Sequence, residues 1–172
     1  MIFKQTPNIS GYTTKKVGYI LHGTLGSYAG AINWLCTKPQ DRPTISYSSA
    51  HYVISKKGEV TQLATHDQVT WHAGIIHSPT WRARKYLPTK SGVPFVLPFK
   101  NPNDSFVGIE FEWFQGDKLT EAQLGAVVNI IKTGGIDNPI VLSHSELTSY
   151  KADFGRDEIG MYPVQEVLRR IK

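Results

Sequence analysis

Apolar residues in this chain come in short runs, and the punctuation between them sets the elements. Residues 17–22 (VGYILH) are nearly all apolar, which predicts a buried strand. Ser27 follows as a helix cap, with Tyr28, Ala31, Ile32 and Leu35 at the i, i+3, i+4, i+7 spacing of one helical face. Cys36 falls at or beyond the edge of that face and reads as filler, not nucleophile. Pro39 and Pro43 mark a loop. Residues 50–55 (AHYVIS) and 59–64 (EVTQLA) flank Lys56-Lys57-Gly58, the pattern of a hairpin. Residues 105–112 (SFVGIEFE) predict a strand with Glu110 and Glu112 on one face and Ile109 and Phe111 on the other. Thr120-Glu121-Ala122-Gln123 has the form of a capping box before a stripe of Leu124, Val127, Val128 and Ile131. Gly134-Gly135 ends that helix. Residues 139–143 (PIVLS) predict a short buried strand. Pro163 suits the first turn of a last helix with Val164, Val167, Leu168 and Ile171 inward. Residues 73–103, rich in Pro, Gly and basic side chains, read as irregular. So long a loop in a compact domain points to function or to a missed element. Strands and helices interleave, which predicts an α/β fold: one domain over 1–172, a central mixed β-sheet, and α-helices on both faces.

Composition narrows the classes. A chain of 172 residues with 40% hydrophobic and 19% charged residues is long enough for one real core and is not disordered. A single cysteine excludes an internal disulfide and a Cys-only zinc site. No apolar run approaches the roughly 20 residues that cross a bilayer, so membrane insertion is not expected. The opening MIFKQTPNIS lacks the apolar core of a Sec signal peptide, so export is expected to depend on lysis or a partner. The net charge is +5, from 19 basic and 14 acidic residues. Residues 81–100 hold Arg82, Arg84, Lys85, Lys90 and Lys100 and no acid, so that segment accounts for the whole excess. A charge this local, without RNA or DNA motifs, argues against a nucleic-acid partner.

Chemistry concentrates at a few positions. His22 and His144 each end a predicted buried strand, where side chains gather at the carboxyl rim of an open sheet. Either alone reads as a satisfied core histidine; two at equivalent strand ends favour a shared ligand role. Asp153 lies nine residues beyond His144 in a loop, where a cap or surface carboxylate is the plain reading. His, His and Asp with a fourth position left for water is a catalytic zinc arrangement. Glu110 is a carboxylate between apolar neighbours, uncommon unless paired or working, or else facing solvent at a sheet edge. Lys151, by composition alone, is a solvated lysine. Trp71-His72-Ala73-Gly74 is either a substrate wall or a turn with a packed Trp.

Taken in order, YILHGT, SSAHYVISKKGEV, VTWHAG, FVGIEFE, LSHSEL and KADFG resemble the zinc N-acetylmuramoyl-L-alanine amidases. That family takes in small phage lysozymes of amidase type, cell-wall recycling amidases and peptidoglycan recognition proteins. The resemblance runs from about Val17 to Gly155. It implies that His22, His144 and Asp153 hold Zn2+, that Glu110 is the acid/base residue, and that Lys151 stabilises the oxyanion. It implies that His72 lines the substrate groove, with Trp71 beside it. Some members carry a tyrosine where this chain has Ala50, and those do not use the strand glutamate; Ala50 with Glu110 fits the glutamate branch. The proline usual after the third ligand is replaced by Phe154. The implied substrate is bacterial peptidoglycan, cut between the lactyl group of N-acetylmuramic acid and L-alanine. A monomeric endolysin, made in the cytoplasm and acting on the wall after release, is the expected setting. A recycling amidase for soluble muropeptides and a non-catalytic wall-binding module are the alternatives, the second disfavoured by the intact ligand set. The basic segment, Arg82, Arg84 and Lys85 above all, is expected to form a lip of the groove that meets anionic wall polymer.

Overall fold

The computed structural model describes residues 1–74, 76–86, 101–151, 153–154 and 163–172. Among the described residues the strands are β1 (Ile2–Phe3), β2 (Ile9–Thr13), β3 (Gly18–Gly23), β4 (Tyr52–Ile54), β5 (Val60–Gln62), β6 (Gln68–Thr70), β7 (Phe106–Phe111) and β8 (Ile140–Ser143). The α-helices among these residues are α1 (Tyr28–Cys36), α2 (Trp81–Arg84), α3 (Pro102–Ser105), α4 (Glu121–Thr133), α5 (His144–Leu147) and α6 (Val164–Ile171), and a 3-10 turn spans Pro39–Asp41. The main sheet has the order β1-β5-β4-β7-β3-β8, and β2 and β6 pair separately. All neighbours in the main sheet are parallel except β4 and β5, the hairpin. The sheet is therefore mixed, with four parallel strands side by side and their carboxyl ends at one rim.

Local signals explain the elements. The Ser27 hydroxyl accepts from the Gly30 N–H and starts α1. Both halves of the capping box at Thr120 and Gln123 are formed, and α4 ends at Gly134. Gly58 turns the hairpin at φ +81°, a conformation that suits glycine. Alternation then splits the core. Tyr19, Leu21, Val107, Ile109, Phe111 and Val141 pack under α4 and α6. Ile20, Phe106 and Leu142 pack on the opposite face with Leu147 of α5, and Val53 packs there with Leu35 of α1. Helices thus cover both faces, as expected for parallel strands.

Residues 73–103 are less irregular than their composition suggests. Thr80 caps α2 through the Ala83 N–H, and Asn101 caps α3 with Pro102 in its first turn. Each helix is a single turn with no apolar period, which is why the sequence pattern did not announce either. Residues 87–100, with Lys90 and Lys100, lie outside the described residues.

Candidate active site

Strand register brings the site together. Pairing sets His22 of β3 opposite Glu110 of β7, and Leu21 opposite Ser143 of β8. The residue after Ser143 is His144, the first of α5, so it arrives beside His22. By alternation these side chains leave on the face of Ile20, Gly108 and Leu142, at the carboxyl rim. Asp153 reaches the same point from the loop beyond α5. His22, His144 and Asp153 are all buried, with ligand atoms within 4.8 Å of one another.

The hydrogen bonds fix which atoms face inward. His72 Nε2 lies 3.2 Å from the Phe106 carbonyl, an acceptor only, so Nε2 carries the proton and Nδ1 accepts. His72 Nδ1 lies 2.9 Å from His22 Nε2, which must then donate. That leaves His22 Nδ1 as a bare lone pair. On the other side His144 Nε2 donates to the Ala73 carbonyl at 3.0 Å, which leaves Nδ1 of the neutral ring bare as well. These two Nδ1 atoms face each other at 2.9 Å, and Asp153 Oδ2 stands 3.8 Å from the first and 3.2 Å from the second. With these tautomers three acceptors converge and no proton lies between them. Such an arrangement is repulsive until a cation joins it. A tetrahedral ion with bonds near 2.1 Å spaces its ligands by about 3.4 Å, and the three observed separations bracket that value. The donor set fits a metal.

Electrostatics agree. Burial, then repulsion from His144, His72 and Lys151, holds the His22 imidazole well below its usual range. Burial takes His72 down to about 3 against a smaller upward pull from the Phe106 carbonyl. The His22 ring is therefore neutral at pH 7, as ligation requires, and so is the His72 ring behind it. Glu110 is half-buried beside them. Burial, then the Asp153 carboxylate, pushes its carboxyl up to about 8, and Lys151 pulls the other way. Glu110, Lys151, Trp71 and Trp113 line a cleft of about 520 Å³ together with His22, His144 and Asp153. A smaller lobe of about 290 Å³ continues over α1 and shares Glu110 with it.

The Trp-His-Ala-Gly segment lies behind the ligands. His72 lines the cleft, as the resemblance implied, yet it is 8% exposed and both ring nitrogens are engaged, one on His22. Ala73 holds His144 through its carbonyl. One segment thus clamps both histidines from behind. Asn103, which drew no attention in the sequence, holds the clamp: its Oδ1 accepts from the N–H groups of His72 and Ala73 at 2.9 and 2.8 Å. Gly108 makes room for it, since a Cβ there would lie 2.4 Å from the His72 ring. His51 completes the support. Its Nε2 donates to the Gln68 carbonyl and its Nδ1 accepts from the Gly108 N–H.

The expected basic lip needs correction. Arg82 does not form a groove lip. Its guanidinium grips both Glu146 oxygens at 2.6 and 2.5 Å and donates to the Val141 carbonyl, so its donors are turned into the protein. Glu146 also accepts from the Ser143 N–H and thereby caps α5, which carries His144. Arg84 donates from Nε to the Pro79 carbonyl and, like Arg82, does not line the cleft. Lys85 lies over the exposed Trp81 ring. Glu112 parts from Glu110: its carboxylate accepts from the Lys56 N–H at the hairpin. Phe154 takes φ +65°, which the fixed ring of a proline does not reach. Its side chain meets Phe111 and Trp113 edge-on at 5.9 and 5.6 Å, tying the Asp153 loop to the core.

Comparisons with solved structures agree with the fold. A selenomethionine derivative of AmpD superposes with a TM-score of 0.67 at 18% identity, over 99% of this chain and 94% of that one. The N-acetylmuramoyl-L-alanine amidase LysC from Clostridium intestinale URNW gives 0.60 at 14% identity, over 99% and 95%. A mutant endolysin from Bacillus subtilis gives 0.60 at 18%, over 99% and 97%. No curated protein sequence matches the chain. The sequence profile of the N-acetylmuramoyl-L-alanine amidases does, over residues 13–156, a span that takes in β3, β7, β8 and every residue of the donor set. By that match the chain belongs to the N-acetylmuramoyl-L-alanine amidase family, and peptidoglycan is its substrate.

Proposed function

We propose that this amidase holds zinc on His22, His144 and Asp153, cuts the bond between the lactyl group of N-acetylmuramic acid and L-alanine, and serves as a phage-type lysin. The observation that carries the site assignment is the pair of bare Nδ1 atoms facing each other beside a carboxylate. Two nitrogens and one oxygen at these separations suit zinc. When bound, zinc supplies Lewis acidity to the scissile carbonyl and to the attacking water. Glu110 accepts the water proton and returns it to the leaving amine; burial raises its carboxyl and a bound cation would lower it again, a balance that suits both transfers. Lys151, exposed on the cleft wall, presents its ammonium to the developing oxyanion. His72, Ala73 and Asn103 keep the histidines in one tautomer and one orientation. The endolysin among the structures of like fold supports the lysin role, in which the enzyme is released from the cytoplasm and cuts the wall so that the host lyses.

Digestion of purified sacculi followed by mass spectrometry tests this. New L-alanine amino termini are expected. New reducing sugar ends would instead identify a glycosidase. Activity confined to soluble muropeptides would refute the lysin role and leave the bond assignment standing. Metal analysis should return about one zinc per chain.

A further inference from the structure

Leu25 stands at the mouth of the cleft in a conformation that leucine disfavours. Its φ is +51°, in the left-handed region where a Cβ crowds the following carbonyl. Its neighbours hold it there. The Thr24 N–H donates to the Phe111 carbonyl, and the Thr24 hydroxyl donates to the Gly26 carbonyl at 2.7 Å. Gly26 itself bridges to Trp113 beyond β7. The Leu25 side chain is 64% exposed and joins none of the apolar clusters among the described residues. Glycine would remove both the backbone strain and the exposed apolar surface.

Its position is informative. Leu25 lines the main lobe with His22, Glu110 and Lys151. Thr24 and Gly26 on either side of it line the second lobe over α1. The residue therefore marks the junction of the lobes, beside the glutamate they share. A substrate lying across both lobes with its reacting amide at Glu110 passes this side chain close to the bond that breaks. On the amidase reading, that bond is flanked by two small aliphatic groups, the lactyl methyl and the alanine methyl.

We infer that Leu25 is a specificity-determining contact, an apolar finger that covers the aliphatic groups flanking the scissile amide. The inference rests on the amidase reading of the cleft. Strain and exposure disfavour Leu25 in the free protein, and substrate relieves the exposure by covering the side chain.

The test is Leu25→Gly, with Leu25→Asn as a second variant because asparagine tolerates positive φ. Soluble muramoyl-peptide substrates are used, in parallel series that replace L-alanine by glycine or the lactyl group by glycolyl. Covering about half of the exposed leucine surface corresponds to roughly a tenfold change in binding. Leu25→Gly is expected to keep its zinc and to melt no lower than wild type. Its KM should rise about tenfold with kcat within about twofold. The preference for the methyl-bearing substrate should shrink in the series whose methyl Leu25 covers, which tells alanine from lactyl. An unchanged KM and unchanged preferences in both variants would overturn the inference. So would loss of fold in both, since Leu25 would then be structural. If wild type releases no L-alanine amino termini, the amidase reading itself fails; an active wild type with unaltered variants removes only the role of Leu25.

Discussion

Replacing His72 with phenylalanine separates two roles for the Trp-His-Ala-Gly segment. Phenylalanine keeps a ring of similar size over Gly108 but removes both nitrogens. The His22 Nε2–H, buried and 2.9 Å from His72 Nδ1, loses its acceptor. The Phe106 carbonyl loses its donor. An unsatisfied buried donor costs about 1–3 kcal/mol. Part of that cost falls on the metal site, because His22 then escapes it by moving its proton to Nδ1, the atom that should bind the ion. Partners behind metal ligands are worth about 10–100-fold in affinity, or about 1.4–2.7 kcal/mol. Zinc affinity, measured by competition with a chromophoric chelator at pH 7.5, should therefore fall by about 10–100-fold. The metal-free variant should also melt below the metal-free wild type. His77→Phe, at an exposed histidine bonded to Ser149, is the control and should leave zinc affinity unchanged. If His72 acted solely as a wall of the substrate groove, KM would rise and zinc affinity would stay put. A folded His72→Phe with zinc affinity within threefold of wild type would refute the clamp.

Three further outcomes follow from the charges. In metal-free protein the Glu110 carboxyl should titrate near pH 8 by carbon-detected NMR, and zinc, a nearby cation, should lower that midpoint. Its folded value lies above its unfolded value of about 4.5, so the folded state holds the extra proton and loses stability as pH rises through that window. The lowered values of His22 and His72 act oppositely, but they are common to both proteins, so metal-free wild type should lose more stability than Glu110→Gln between pH 6.5 and 8. Parallel curves for the two proteins would show that Glu110 is not held up by burial. Arg82→Ala should cost about 3–5 kcal/mol in denaturant unfolding, because Glu146 stays buried without its partner. Arg84→Ala should cost under about 0.5 kcal/mol; equal small effects would return Arg82 to the surface.

Most of the fold was legible because the elements that carry it have local signatures. VGYILH, SFVGIEFE and PIVLS became β3, β7 and β8, and the capping box at Thr120 started α4. The positions of His22 and His144 at strand ends were legible for the same reason. Parallel strands with carboxyl ends at one rim put their last side chains together, whatever lies between them in the chain. The fate of charges was harder to read. Arg82 and Arg84 sit two residues apart in one basic run, and composition treats them alike. Their difference lies in Glu146, which is 64 positions from Arg82 and meets it only after α2 and α5 dock.

The same limit explains His72 and shows why the clamp matters. A sequence shows which side chains are able to ligate a metal; it does not show which nitrogen of an imidazole carries the proton. That is decided by the atom each ring meets behind it, here the Phe106 carbonyl through His72 for one ring and the Ala73 carbonyl for the other. Both carbonyls are backbone groups that any residue provides, so no residue type advertises them. The glycine that admits His72 and the asparagine that holds its backbone look equally ordinary in the chain. Yet without these contacts His22 and His144 are free to point either nitrogen inward, and metal binding would have to select one arrangement from several. The clamp makes that selection during folding. The strand ends bring the ligands to one place, and the segment behind them turns that proximity into a metal site.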